Sequence, residues 1–579
     1  MEYKSQNVIC QNCKTQFTIE PEDFKFYEKM KVPPPTFCPE CRIIRRFIWR
    51  NERVLYKRKC ELCGNIIFTL FSPVVKTPVY CYDCWWSDKW NPMIYMSSYD
   101  FSQPFLKQFQ KLIEVVPIIS KWGFDNINCD YAAHMGYSKN AYLSSSGVHS
   151  EDIYYSYSID KGKNIFDSFL SGESELCYEN INCNKTYNSS FLVNSKNCIN
   201  SFFLYDCSGC QDCVLCTGLR NKKFYIRNKM YTESAFRDEL KKINFGSNII
   251  LKKLKDEFFT LQLIAIHKYA DIIASNNCTG DGIHNSKNVC SSFVVNDSEN
   301  LKYCWRIPTG YKDSYDVSGS LDSELIYEAA LAADHNYFLK FHIQCRSSKN
   351  LEYCMYCSLS TNCFACIGLR SKQYCILNKQ YTKEEYEELV PKIIKHMNDM
   401  PYISSRKNPS TGSGQVYKYG EFFPSELSPF CYNETIAQEY FPLTKEEATE
   451  QGYKWKEKEE RNYNIDIKTK DIPNDIKEVN ESIINKVIEC EHQGKCNEQC
   501  TEAFKIIQDE YTFYKRINLP IPLLCPNCRH YQRLKQRNPL KLWHRKCMKE
   551  GCTNEFETSY APDRPEIVYC ERCYQQEVY

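Results

Sequence analysis

The chain has 579 residues, 43% hydrophobic and 25% charged, with net charge +2, 35 cysteines, 43 tyrosines and only 20 glycines. At about 150 residues per domain, that length implies three to five units rather than one core. Near-neutral charge excludes a globally basic nucleic-acid coat, so such a role must rest on local patches.

Met1–Asn12 contains Glu2 and no apolar run, so no signal peptide is expected. The most apolar helix candidate, residues 258–274, is interrupted by His267, Lys268 and Asp271, and no membrane span is expected. The reading is therefore cytoplasmic, a reducing setting in which clustered cysteines bind metal more often than they pair.

The first unit, residues 1–95, holds four knuckles: Cys10/Cys13, Cys38/Cys41, Cys60/Cys63 and Cys81/Cys84. Two residues between cysteines let both thiolates reach one tetrahedral ion at about 2.3 Å. Sequential pairing gives two ions, and an interleaved pairing stays open. Between the second and third knuckles, residues 42–59 carry Arg42, Arg45, Arg46, Arg50, Arg53 and Arg58 against Glu52 alone, interleaved with Phe47, Trp49 and Tyr56. Cations that neutralise phosphates beside aromatics that stack on bases suit RNA or single strands better than duplex DNA. The plainer reading is solvated cations and aromatics packed into the fold, with Trp49 and Trp543 in the core.

Residues 96–245 change character. "SKNAYLS" at 138–144, "SEDIYYS" at 150–156, "GKNIFDS" at 162–168 and "SELCYEN" at 174–180 begin twelve residues apart. A polar turn, a short strand and a small inward residue at fixed period predict a β-solenoid. The pattern returns in residues 246–400, as "SKNVCSS" at 286–292 and "SKNLEYC" at 348–354. Each array ends alike, since 216–232 matches 366–382, and a strand hairpin with a helix should cap each open edge. Thr232 is a predicted N-cap, and Thr382 with Glu385 a capping box.

Cysteines gather near those ends: Cys207, Cys210, Cys213 and Cys216, then Cys354, Cys357, Cys363 and Cys366. A twelve-residue repeat stacks Cys354 over Cys366, so a buried cysteine ladder is the favoured reading. Metal at these two clusters is the alternative. Residues 401–485 read as a linker, with a flexible stretch at 404–415 and a solvated charge run at 456–478.

The last unit, residues 486–579, repeats the first. Its pairs are Cys496/Cys500, Cys525/Cys528, Cys547/Cys552 and Cys570/Cys573. Cys13 to Cys38 and Cys500 to Cys525 are both 25 positions, and Cys63 to Cys81 and Cys552 to Cys570 are both 18. Phe26-Tyr27 match Phe513-Tyr514, and Arg42 matches Arg529. Cys490 and His492 are further candidates, read as bystanders. Its basic stretch, 529–549, contains Arg529, Arg533, Arg537 and Arg545 and no acid.

The stretches beginning at Cys10 and Cys496, each a cysteine pair, a Phe, a Phe-Tyr and a Cys-Pro-x-Cys-Arg, resemble the zinc-ribbon family of treble-clef type. The usual Gln before Phe-Tyr and Gly after it are missing here. The whole arrangement is similar to large cysteine-rich proteins of minimal-genome bacteria and giant viruses.

The expected fold is therefore mainly β with some α, with duplicated four-cysteine zinc modules flanking two solenoid-like arrays with helical caps. Four Zn2+ are expected, two per terminal module, and more if the central clusters bind. No Walker or Rossmann loop appears, histidines are scattered, and all eight cysteines of each module are committed to closed sites, so no catalysis is expected. The favoured function is nucleic-acid binding by the basic-aromatic modules. The alternative is a protein-binding scaffold using the repeat surface.

Overall fold

A computed structural model describes residues 3–319, 321–331, 334–407, 414–458 and 463–579, and is mainly β with some α. Two long ladders of parallel strands occupy its middle. In the first, strands run in chain order from Lys139–Tyr142 to Lys223–Ile226, and partners lie twelve positions apart: Glu151 pairs with Lys139 and Lys163, and Cys177 with Ile165 and Ser189. A shorter sheet of Tyr157–Asp160, Phe169–Gly172 and Ile181–Asn184 keeps the same spacing. The second ladder, from Ile272–Ile273 to Gln373–Ile376, stretches to thirteen where Glu299 pairs with Lys312 and Ile326 with Leu339.

Backbone chirality explains the short strands. Every third residue from His134 to Asp206 has positive φ, so the chain turns after each short run. Asn and Asp tolerate that conformation best, and they recur at these corners. Their side chains also link successive repeats: Asn182 Nδ2 donates to Asn194 Oδ1 at 2.8 Å, and Asn188 Nδ2 to Asn200 Oδ1 at 2.9 Å. The small inward residue has its own task. Ser156 Oγ donates to Tyr154 O at 2.9 Å and accepts from Ser168 N at 3.0 Å; Ser168 repeats this with Phe166 O and Asn180 N, both at 3.1 Å. Each buried hydroxyl thus satisfies backbone groups that a tight corner would orphan.

Both ladders end in an antiparallel hairpin, Lys223–Ile226 with Lys229–Met230 and Gln373–Ile376 with Lys379–Gln380. Helices Glu233–Lys241 and Lys383–Asp399 follow; Thr232 caps one, and the Thr382–Glu385 capping box starts the other.

The terminal modules are crossed over the ladders. Phe26 of the N-terminal module stacks at 3.8 Å on Tyr315 of the second ladder, and Phe513 of the C-terminal module stacks at 3.8 Å on Phe166 of the first. One buried core joins the N-terminal module to the second ladder, and another joins the C-terminal module to the first. Each module's last strand then reaches back: Val79–Tyr80 pairs with Ile118–Ile119, and Ile567–Tyr569 with Ile266–Lys268.

The stretch read as a linker is largely packed. Phe422 and Phe423 are buried in the first core, while Ile472, Ile476 and Ile483 belong to the second. Residues 408–413 of the flexible stretch and 459–462 of the charge run lie outside the described residues. Among the described residues no helix is long and apolar enough to cross a membrane.

Candidate metal centres

Four groups of four cysteines bring their sulfurs within 4.8 Å of one another: Cys10/Cys13/Cys38/Cys41, Cys60/Cys63/Cys81/Cys84, Cys490/Cys500/Cys525/Cys528 and Cys547/Cys552/Cys570/Cys573. All are built alike. A β-hairpin holds the first two cysteines in its turn, as in Gln6–Ile9 with Gln16–Ile19 and Trp543–Lys546 with Glu555–Thr558. The third caps the N-terminus of a helix, Cys38 for Pro39–Phe47, Cys81 for Tyr82–Trp86, Cys525 for Pro526–Leu534 and Cys570 for Glu571–Val578. Helix N-termini favour negative charge and so lower the cost of a thiolate there.

One backbone contact recurs in all four. The amide of Cys38, Cys81, Cys525 and Cys570 donates to the sulfur of Cys10, Cys60, Cys490 and Cys547 respectively, at 3.2–3.3 Å. Crowded sulfurs cannot all ionise without a cation among them. Contacts with Cys38 and Cys41 hold Cys10 well below the usual thiol range, and the contact with Cys10 in turn raises Cys41. Four-cysteine sets of this geometry suit a soft-to-borderline tetrahedral ion.

The recurring contact corrects one assignment. Sequence spacing joins Cys496 to Cys500, but Cys490 occupies the place of Cys10, and Cys496 lies with His492, Glu498 and Cys528 in a fifth group. Nine residues separate Cys490 from Cys500 where two separate Cys10 from Cys13, so the insertion hides the match. The signal was Val8-Ile9-Cys10 against Val487-Ile488-Glu489-Cys490.

The central cysteines behave differently. Cys207, Cys210, Cys213, Cys216, Cys354, Cys357, Cys363 and Cys366 are all buried, and among the described residues none joins a metal-ligand group. Their thiols point at backbone carbonyls: Cys207 Sγ lies 3.5 Å from Tyr205 O, and Cys354 Sγ 3.6 Å from Cys363 O. They take the inward position that serine takes elsewhere, as small apolar side chains with a weak donor.

The arginines expected to contact phosphate are mostly inside. Arg42, Arg45, Arg46, Arg50, Arg529 and Arg533 are at most 4% exposed. Arg42 Nε and Arg46 Nη1 donate to Asp316 at 3.0 Å, and Arg45 binds Glu328 at 2.6 Å and Glu421 at 2.9 Å. Arg50 pairs with Glu52. In the C-terminal module Arg533 binds Asp167 at 2.8 Å, and Arg529 lies 3.3 Å from Asp167 and from Glu510. An arginine buried against a carboxylate presents no charge to a phosphate.

The other three are half-buried. Arg53 donates to Asn527 at 3.2 Å, Arg537 sits 4.0 Å over the Tyr440 ring, and Arg545 donates to Ala561 O at 3.2 Å. Of the remaining cations in the two basic stretches, Lys57, Lys59 and Lys546 are exposed on hairpin strands, and Lys535 and Lys541 are exposed outside them.

Compared with known proteins, the chain matches no family model and no curated protein.

Proposed function

We propose that this chain is a non-catalytic zinc-binding scaffold of the cytoplasm. In it, zinc-ribbon modules of treble-clef type lock two β-solenoid arrays together. The observation that carries the reading is the shared construction of the four tetracysteine groups: hairpin turn, helix N-cap and the same amide-to-sulfur contact. Closed four-cysteine sites of this kind are structural, because they leave no position for a substrate or a catalytic water. The twelve-residue register and the left-handed corners support the solenoid reading. Residues 1–95 and 486–579 would be the zinc modules, 96–245 and 246–400 the arrays, and 401–485 the segment between the second array and the last module.

Nucleic-acid binding is the second reading, favoured by exposed Lys57 and Lys59 on the first module's Tyr56–Lys59 strand. One experiment separates the two. Metal-loaded protein is titrated with labelled single-stranded RNA, single-stranded DNA and duplex over a range of salt. The scaffold reading expects no saturable binding at low salt. Log-linear salt dependence that weakens when Lys57 and Lys59 become Ala would replace it with phosphate recognition.

A further inference from the structure

The insertion that hides Cys490 is itself built like a ligand set. Residues 491–499 bring His492, Cys496 and Glu498 against Cys528, with one ligand atom from each of the four within 4.8 Å of the others. Cys496 Sγ is 3.7 Å from Cys528 Sγ. Tetrahedral bonds of about 2.3 Å place neighbouring sulfurs close to that separation.

The oxygen and nitrogen donors point the same way. His492 Nδ1 and Glu498 Oε2 are 3.2 Å apart, both atoms are buried, and among the described residues neither has a hydrogen-bond partner. Glu498 is 7% exposed, and its other carboxylate oxygen takes Lys535. Buried polar atoms are rarely left without partners, and these two, within ion-pair range of each other but making no aligned hydrogen bond, lie beside the Cys496 and Cys528 sulfurs, where a shared cation would satisfy both. Charge favours a cation there: a carboxylate and two sulfurs converge, and Lys535 lies on the outer side of Glu498.

The N-terminal module supplies the control. Cys41 holds the place of Cys528, but Asn12 Nδ2 donates to its sulfur at 3.2 Å, so that lone pair is already engaged. In the C-terminal module Cys496 faces the corresponding sulfur instead. Cys528 is also 3.5 Å from Cys525 and 4.0 Å from Cys490, which places its sulfur between the two ligand sets.

We propose that the C-terminal module binds a further ion beside the one in its Cys490/Cys500/Cys525/Cys528 group, held by His492, Cys496 and Glu498 and bridged to that neighbour through the Cys528 thiolate. Zinc fits both halves, since it accepts nitrogen, sulfur and carboxylate oxygen at similar distances and a thiolate has lone pairs for two ions. His492 and Cys496 are only half-buried, so the further ion exchanges more readily than its neighbour. This inference rests on the metal-binding reading of the four-cysteine groups.

The test is metal stoichiometry of the full chain purified with zinc, beside the variants His492→Ala and Glu498→Gln, which keep every cysteine. Five ions per wild-type chain and four in each variant, with thermal melting of the terminal modules retained, is the expected result. In cadmium-113-loaded wild type, two resonances should show mutual coupling through the shared sulfur, and each variant should lose that coupling. Four ions in wild type and variants alike would overturn the bridged site and leave the four-cysteine reading standing. No bound metal in any of them would overturn both.

Discussion

Asp167 and Asp316 hold the same place in the two ladders. Each is fully buried at a left-handed corner, with φ of 50° and 58°, and each receives two arginines from the module at the far end of the chain. The residue before each aspartate, Phe166 or Tyr315, stacks at 3.8 Å on the Phe of the incoming Phe-Tyr pair. The internal duplication is therefore assembled as a crossed pair, with each terminal module seated on the ladder it does not adjoin in sequence.

These clamps give the first prediction. Asp316→Ala leaves Arg42 buried without a carboxylate and Arg46 with Glu328 alone, 3.5 Å away, and should cost about 3–5 kcal/mol. Replacing Asp316, Arg42 and Arg46 together by Leu, Met and Met should recover most of that loss. Denaturant unfolding of the three proteins, zinc-loaded, checks the pair. Equal losses in single and triple variants would show that the residues act through something other than their charges.

Chelation should release the ends first. A module built on four-cysteine groups has little core of its own, so zinc removal should unfold residues near both termini before the ladders melt. Limited proteolysis with and without a strong chelator, followed by mass mapping, reads this directly. Unchanged cleavage at both termini would argue against structural metal.

The ladder corners can be tested at Asn188, with φ of 46° and a hydrogen bond to Asn200. A β-branched residue there meets the left-handed penalty, and Asn188→Val should lower stability by roughly 1–2 kcal/mol. Asn188→Gly should cost less, because glycine enters that region freely.

His342 makes stability depend on pH. Burial holds its pKa at about 3, and among the described residues neither ring nitrogen has a hydrogen-bond partner. The unfolded chain takes up a proton near pH 6.5 that the folded chain refuses. Above that value the histidine has no linkage cost; as pH falls from 6.5 toward 3, the fold loses about 1.4 kcal/mol per pH unit. His342→Leu removes this loss. The stability difference between variant and wild type should therefore widen by about 1 kcal/mol from pH 6.5 to 5.5 and approach that slope below it, and a constant difference would show that the site protonates in place.

Local order was the most legible part of the molecule. Cysteine knuckles, capping residues and the twelve-residue period all depend on neighbours a few positions apart, so spacing alone locates them. Cys490 escaped because an insertion broke the spacing while leaving the geometry intact, with its sulfur still accepting from the Cys525 amide. The stretch at 422–435 was legible only as apolar anchors that pack somewhere: Phe422 and Phe423, like Ile476 further on, have no period, and only their partners far along the chain show where they pack.

What the sequence by itself determined is the set of repeated parts: knuckle, hairpin, helix cap, and strands of fixed period broken by Asn, Asp and Ser. Only the tertiary structure decided where the charges go. Arg46 and Arg533 sit in basic stretches that read as surface, and their carboxylate partners, Asp316 and Asp167, lie hundreds of residues away. A buried ion pair is a property of two distant surfaces brought together, and no local pattern records which arginine will face water and which will meet an aspartate.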